Sequence, residues 1–534
     1  MSKTELIARA MRLLQACAWH EAEIAADAAL VQAPDDPQAL LLCGLAIAAM
    51  GEHERAAPVL LRVVALAPDV RHPCVELADL RPPLPRTLIV RQFQACLRRD
   101  PNNVRLRLTF AEFLLDNDDP DQAEAVLETA LNTTEAHHLR GLARAERGRF
   151  AEAIESFRAA VGLDPNVAAS WSNLGMVLKI EQRFEDAMRA HNRAVVLAPD
   201  NARFKVNRAV ALLQMGDWQR AWMDYEARLD LAEGLVVDRL RLLPALRPGD
   251  SLKGVTVLAL HEDGFGDTLH FCRYLPLLAE RGARIIACVP PALLRLISGL
   301  PGVSEVVTQP RFAPRHDFVC PMFSLPRVFG TTPQTVPPVV APQIDPQSVT
   351  RFGRRLPVNG LLTGLVWAGQ ARPTVPGFRT LDRRRSAGLA AFAPLAGLQG
   401  VRLVSLQAGP PAREAPPRGM VLTNPMQEVR DFADTAAIIA NLDVVVSVDT
   451  SVAHLAGLMG KPVFLLDRYD GCWRWLSGRR DSPWYPHLTI FRQPRPGDWA
   501  SAMAEVAASL QVMALYRGAE HGPAPDLQEP AFVA

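Results

Sequence analysis

GLARAERGRFAEAIESFRAAVGLDP (141–165) and GMVLKIEQRFEDAMRAHNRAVVLAP (175–199) carry one pattern twice. Adding 34 to Gly141, Ala153, Phe157, Ala160 and Pro165 gives Gly175, Ala187, His191, Ala194 and Pro199. A further 34 gives Ala209, Ala221, Tyr225 and Arg228. The same period opens the chain, where Ala22 and Pro34 become Ala56 and Pro68, with Gly44 at the small position. A fixed period of this length belongs to stacked helix pairs. Small residues let two antiparallel helices approach closely, and the proline ends the second. Residues 1–235 therefore read as an α-solenoid of six or seven repeats. Two repeats are irregular. RPPLP (81–85) falls where a helix is expected, and the unit around Ala111 and Ala123 lacks its closing proline. Such an array presents a concave surface suited to another protein or peptide.

Trp171, Leu174 and Gly175 match the W-x2-L-G opening of the tetratricopeptide repeat (TPR). After a linker at 236–251 the period changes. VTVLAL (255–260) is a short apolar run, as in a buried parallel strand. Further strands are expected at 284–289, 361–367, 401–406, 443–448 and 463–466, with helices at 267–280, 291–298, 386–396, 432–440 and 451–459. A Pro-, Gln- and Thr-rich segment at 330–360 reads as a connection. Strands alternating with helices over two blocks predict two Rossmann-like lobes, 252–350 and 351–516. Residues 517–534 lack a core-building pattern and are expected to be a disordered tail.

At 534 residues the chain is too long for one core. The 58 basic residues against 57 acidic ones argue against a dedicated nucleic-acid binder, which needs a basic excess, but do not forbid a local anionic-ligand site. Five of the 58 are lysine, and coding bias explains most of that arginine preference. The eight cysteines (17, 43, 74, 96, 272, 288, 320 and 472) show no metal spacing, so a reducing compartment is expected. The N-terminus lacks an apolar signal region, and no run of 18 apolar residues occurs. A cytoplasmic protein without a membrane span or metal is expected.

Four loops can carry chemistry. HEDGFGDT (261–268) joins a strand to a helix, where parallel sheets bind ligands. Gly264 and Gly266 allow close backbone approach, and Asp267 faces the cleft as a general base or caps the helix. Leu269 occupies the third glycine position of a dinucleotide fingerprint, so that reading fails. VDTSVAH (448–454) opens a second helix. Its amides, with the hydroxyls of Thr450 and Ser451, suit a phosphate, Asp449 suits sugar hydroxyls, and His454 follows one turn on. GLVWAG (364–369) is followed by Arg383, Arg384 and Arg385, expected just before a helix, where an arginine pairs with a diphosphate or carboxylate. Trp367 is a core residue or a stacking surface. Trp473 and Arg474 follow the strand VFLL, close to SPWYP (482–486).

These residues resemble the C-terminal region of bacterial TPR glycosyltransferases related to glycosyltransferase family 9, the heptosyltransferase group. The resembling pieces are EDGFGDTLHFCRYLP (262–276), GLVWAG (364–369), RRRS (383–386), LVSLQ (403–407), the block 434–463, and WRWL (473–476) with RRDSPWYP (479–486). The resemblance implies a GT-B fold, with the nucleotide-sugar donor held mainly by the C-terminal lobe, and no metal or cofactor. Asp267 matches the proposed base, with His454 as the second candidate. Asp449, Thr450, Ser451 and His454 match the donor-contacting D-[ST]-x-x-x-H segment. Gly264, Gly266, Trp367, Arg384, Arg385, Gln407, Trp473 and Arg474 complete the expected donor site. Two departures, Asp263-Gly264-Phe265 in the first loop and Gln370-Ala371-Arg372-Pro373 after GLVWAG, leave the sugar open.

The pairing of repeats with such a half also resembles flagellin glycosyltransferases of alphaproteobacteria. These move a nonulosonic acid, such as pseudaminic acid, from its CMP donor to Ser or Thr. The resemblance implies an inverting protein O-glycosyltransferase whose repeats take the acceptor protein, with CMP, UDP, GDP or ADP as the nucleotide. Two alternatives stay open: a lipopolysaccharide or polysaccharide glycosyltransferase, and a non-catalytic TPR scaffold.

Overall fold

The computed structural model describes residues 1–67, 86–130, 132–231, 235, 237–371 and 378–520. The chain divides into two compact units, Met1–Val177 and Leu178–Ala534. RPPLP (81–85) lies outside the described residues.

The first unit is built of helix pairs: Lys3–Gln15 with Trp19–Gln32, Pro37–Ala49 with His53–Leu66, Val104–Asp116 with Pro120–Leu127, and Thr134–Glu146 with Phe150–Leu163. Helix starts are set locally. Pro37 and Pro120 occupy the first helical position, where the missing N–H costs nothing. Asp36 accepts from Gln38 N and Ala39 N, both at 3.1 Å. The small positions of the repeat are contact points. A Cβ on Gly44 would lie 2.5 Å from Leu60, and one on Gly141 would lie 2.6 Å from Phe157. Gly141→Val therefore forces the pair apart. Overpacking of this kind costs about 1–3 kcal/mol and outweighs the helix-propensity gain of a few tenths. Thermal unfolding followed by far-UV circular dichroism should show a destabilised helical transition; an unchanged transition refutes the close-contact reading.

The second unit opens with helices Phe184–Leu197, Ala202–Met215 and Trp218–Tyr225. Among the described residues ten strands follow: β1 (Thr256–Leu260), β2 (Arg284–Cys288), β3 (Val303–Val307), β4 (Phe318–Pro321), β5 (Leu361–Val366), β6 (Val401–Ser405), β7 (Leu422–Thr423), β8 (Val444–Val448), β9 (Val463–Asp467) and β10 (Leu488–Arg492). They form two parallel sheets, ordered β3-β2-β1-β4 and β10-β9-β8-β5-β6-β7. Leu258 pairs with Ile286 on one side and Val319 on the other. Central β8 and β9 are buried throughout, as parallel strands covered on both faces must be. The chain is thus a TPR helical region followed by an α/β region of two parallel sheets, consistent with a GT-B fold.

The second and third of these helices belong to the core of this second unit. Trp218 stacks on Trp484 with centroids 4.7 Å apart. Trp222 Nε1 donates to Thr331 O at 2.9 Å, and Gln214 Nε2 donates to Ser477 Oγ at 3.0 Å. Leu212, Trp218 and Trp222 share one apolar cluster with residues of both sheets.

Several local expectations change. The helix expected over 267–280 is broken into Phe265–Phe271, a 3-10 turn Cys272–Tyr274, and Leu275–Glu280. Pro276 has no N–H to continue the ladder. The helix expected at 386–396 is instead Phe378–Arg385 followed by the 3-10 segment Leu389–Leu395. Gly388, at φ +74, and Pro394 divide the stretch. Arg383, Arg384 and Arg385 consequently end a helix rather than precede one. Strands β3, β4, β7 and β10 were not expected from sequence. The edge strand β3 is only half-buried, so its apolar signal is weak. The last helix runs Trp499–Glu520, into the first residues of the expected tail, and Arg517 pairs with Asp443. The remainder of the expected tail, 521–534, lies outside the described residues.

Candidate active site

β1 ends at Leu260, and the chain turns through His261–Gly264 into helix Phe265–Phe271. Asp263 adopts φ +54, a left-handed conformation that Asp tolerates better than most residues. Asp267, in the first turn, folds back so that its Oδ2 accepts from Gly264 N at 3.0 Å. On the second sheet, β8 leads through Asp449 and Thr450 into helix Ser451–Leu458. Thr450 Oγ1 and Ser447 Oγ share a hydrogen bond of 2.9 Å. The two helix starts meet. A Cβ on Gly266 would lie 3.0 Å from His454 Cδ2 and 3.4 Å from Ser451 Cα, so the two helix starts cross in close contact here. A third element, the loop after β9, brings in Arg474, which pairs with Asp267 Oδ1.

Burial lifts the Asp267 carboxyl above its ordinary range; Arg474 opposes this, and the charges of Asp263 and Asp449 add to it. Burial works against the Arg474 charge, but Asp267 overrides it and holds Arg474 protonated. The Arg474 guanidinium lies 4.4 Å from the Trp473 ring centroid. Burial drops His454 to about 3 despite the pull of Asp449, so its imidazole is neutral. His454 Nε2 stands 3.9 Å from Asp449 Oδ1. Next to Asp267's loop, Glu262 forms a fork with Arg228, Oε1 to Nε and Oε2 to Nη2, both at 3.0 Å. Arg228 thus continues the repeat register into the site loop.

The structure brings together Gly264, Gly266, Asp267, Asp449, Thr450, Ser451, His454 and Arg474. The other expected donor residues have different surroundings. Gln407 Oε1 accepts from Trp367 N at 3.0 Å and Ala368 N at 2.9 Å. Its Nε2 donates to Ala368 O and Ala408 O, so both ends brace the backbone after β5. Trp367 is a core residue whose Nε1 donates to Pro411 O at 3.2 Å. Trp473 is buried among aromatic rings, 5.7 Å from Trp222. Arg385 Nη2 reaches Gln370 O at 3.1 Å and Asp382 at 2.9 Å. Arg384 lies 3.4 Å from Asp470, which also pairs with Arg468 at 3.0 Å.

Sequence reasoning missed Lys179, His270 and Tyr485. Lys179, buried near the end of helix Ala168–Ile180, has its pKa pushed down to about 8 by desolvation, with the charges of Asp470 and Arg468 also acting on it. The signal was faint: Lys179 is one of five lysines, set in an apolar stretch.

Away from the site, Asp434 is fully buried and joins the two lobes of the second unit. It pairs with Arg295 (2.7 Å), Arg351 (3.5 Å) and Arg430 (3.0 Å). Burial opposes its charge, but the Arg430 and Arg295 hydrogen bonds prevail and hold it down to about 2. A depressed carboxylate stabilises above its unfolded value of about 3.9 and loses that stabilisation as pH falls toward about 2. Thermal unfolding of the second unit should weaken over that interval, and Asp434→Asn should flatten the dependence. Identical pH profiles for the two proteins count against the latch.

Among the described residues, no group of three His, Cys, Asp or Glu side chains could hold a metal ion, and no helix is long and apolar enough to cross a membrane.

Residues 7–70, 90–143 and 138–202 match tetratricopeptide repeat families. Protein FlbA of Caulobacter vibrioides is 26% identical over 449 residues, covering 68% of this chain and 71% of that protein. The peroxisomal targeting signal receptor of Kluyveromyces lactis is 29% identical over 105 residues, 18% of this chain and 19% of its own. Among solved structures, a glycosyl transferase family 9 protein from Veillonella parvula is similar with a TM-score of 0.38 and 12% identity, covering 49% of this chain and 99% of that one. MamA is similar with a TM-score of 0.26 and 19% identity, covering 34% and 93%. The N-terminal region of this chain accordingly carries tetratricopeptide repeats.

Proposed function

We propose that the chain is an inverting protein O-glycosyltransferase whose repeats take the acceptor and whose second unit takes a nucleotide sugar. The supporting observation is the meeting of two helix starts from two parallel sheets, with Asp267, Arg474, Asp449 and His454 gathered where they cross. In this reading Asp267 accepts the proton of a Ser or Thr hydroxyl as its oxygen attacks the anomeric carbon. The bond from that carbon to the donor phosphate oxygen breaks on the opposite face. The leaving phosphate is received by the start of helix Ser451–Leu458, with Thr450 and Ser451. No residue is asked to carry a metal or cofactor.

The finer assignment is flagellin as acceptor and a CMP-linked nonulosonic acid as donor. It rests on the resemblance of the domain pairing. Co-expression of the full chain with flagellin and a sugar-synthesis pathway, followed by intact-mass analysis, tests it. A mass increment on flagellin identifies the sugar. An increment on lipid-linked saccharide instead overturns the protein acceptor, and no nucleotide-sugar binding by calorimetry overturns the transferase reading.

A further inference from the structure

Tyr485 is buried where the two lobes meet, and its hydroxyl lies between two histidines. His270 Nδ1, on the helix after β1, is 3.0 Å from the oxygen. His454 Nδ1, on the helix after β8, is 2.9 Å from it. One hydroxyl has one proton, so it can donate to only one of these nitrogens, and the other must donate to it. The two histidines must therefore be opposite tautomers as long as both are neutral. Burial drives both below their ordinary range.

The far nitrogens decide the order. His454 Nε2 faces the Asp449 carboxylate at 3.9 Å, which favours a proton there. His270 Nε2 is buried and has no hydrogen-bond partner, so an N–H there would go unsatisfied and a bare nitrogen is favoured, while the charges of Arg273 and Arg474 help keep the ring neutral. The chain then runs from Asp449 to His454 Nε2–H, with Tyr485 O–H donating to His454 Nδ1 and His270 Nδ1–H donating to Tyr485 O. The rings are fixed in place. Trp475 stacks on His454 at 5.3 Å, the Arg273 guanidinium lies 4.6 Å from the Tyr485 ring centroid, and Gly457 leaves room for the tyrosine ring.

We infer that Tyr485 is a positioning residue that holds His454 in its Nε2–H form, so His454 meets the site beside Asp449 as a hydrogen-bond donor. In the transferase reading, on which this consequence rests, His454 then orients substrate oxygen and cannot serve as the base in its resting state. The proton order itself is independent of that reading.

Full-length protein labelled with 15N-histidine tests the order directly, with His454→Gln and His270→Gln used for assignment. The expected spectrum shows His454 bare at Nδ1 and protonated at Nε2, and His270 protonated at Nδ1. A His454 protonated at Nδ1 overturns the proposal. Tyr485→Phe keeps the ring and removes the hydroxyl; its His454 signals should move toward those of a tautomer mixture. Unmoved signals in a folded Tyr485→Phe also overturn it. Should that variant fail to fold, the wild-type spectrum alone decides. If the wild type transfers no sugar, the transferase reading fails while the tautomer result still stands or falls on its own.

Discussion

Asp267→Asn is expected to fold normally and to lose about 10²–10⁴-fold in sugar transfer, the usual contribution of a general base. The substitution keeps the size of the side chain and an oxygen that can accept from Gly264 N, so the helix start survives. It removes the charge that holds Arg474, leaving a buried guanidinium less well paired. Two readouts separate the proton-transfer role from that structural cost: donor binding by calorimetry should persist, whereas the chemical step should collapse. The pH dependence supplies a further check. Burial raises the folded pKa of Asp267, and a base works only when ionised. The acid limb of kcat/KM should therefore lie above the ordinary carboxylate value of about 3.9, and transfer should increase as pH rises through it. Full transfer by Asp267→Asn would remove this residue from the mechanism.

Arg228→Ala should have the largest effect on stability. Arg228 is nine-tenths buried and satisfies Glu262 through two bonds of 3.0 Å. It also donates to Ser324 Oγ at 2.9 Å and to Glu226 at 2.8 Å. Removing it strands a buried carboxylate, a loss of about 3–5 kcal/mol in comparable cases. Glu262 stands five residues before Asp267, so the damage reaches the site loop. Urea unfolding of the second unit measures the loss. The double variant Arg228→Met with Glu262→Gln should recover much of it, because the stranded charge is gone. Equal destabilisation in single and double variants would show that packing, and not the unpaired charge, dominates.

The sequence made the broad organisation plain. A register of 34 residues shows itself because Gly141 must face Phe157, and apolar runs such as VTVLAL show themselves because central parallel strands are buried on both faces. The loops at 261–268 and 448–454 were legible for the same reason: strand, glycine or hydroxyl residue, then helix. What stayed hidden depends on long-range pairing. Gln407 looks like a ligand group in one dimension, yet its amide is committed to the backbone at Trp367 and Ala368. His270 and Tyr485 are 215 positions apart and acquire meaning only when the lobes meet. The arginine run 383–385 was placed on the wrong side of a helix because the separating residues, Gly388 and Pro394, sit within the stretch read as helical.

The packing of Trp218 and Trp222 against Trp484 and Trp473 bears on how such chains can be recombined. The repeat period continues to Arg228, but the division between the two compact units falls after residue 177. An array exchanged at the last recognisable repeat would carry away indole rings that fill the interior of the α/β half. An exchange made before Leu178 leaves them in place. Modularity in this architecture thus stops short of the visible repeats, and the final helices are inherited with the sheets.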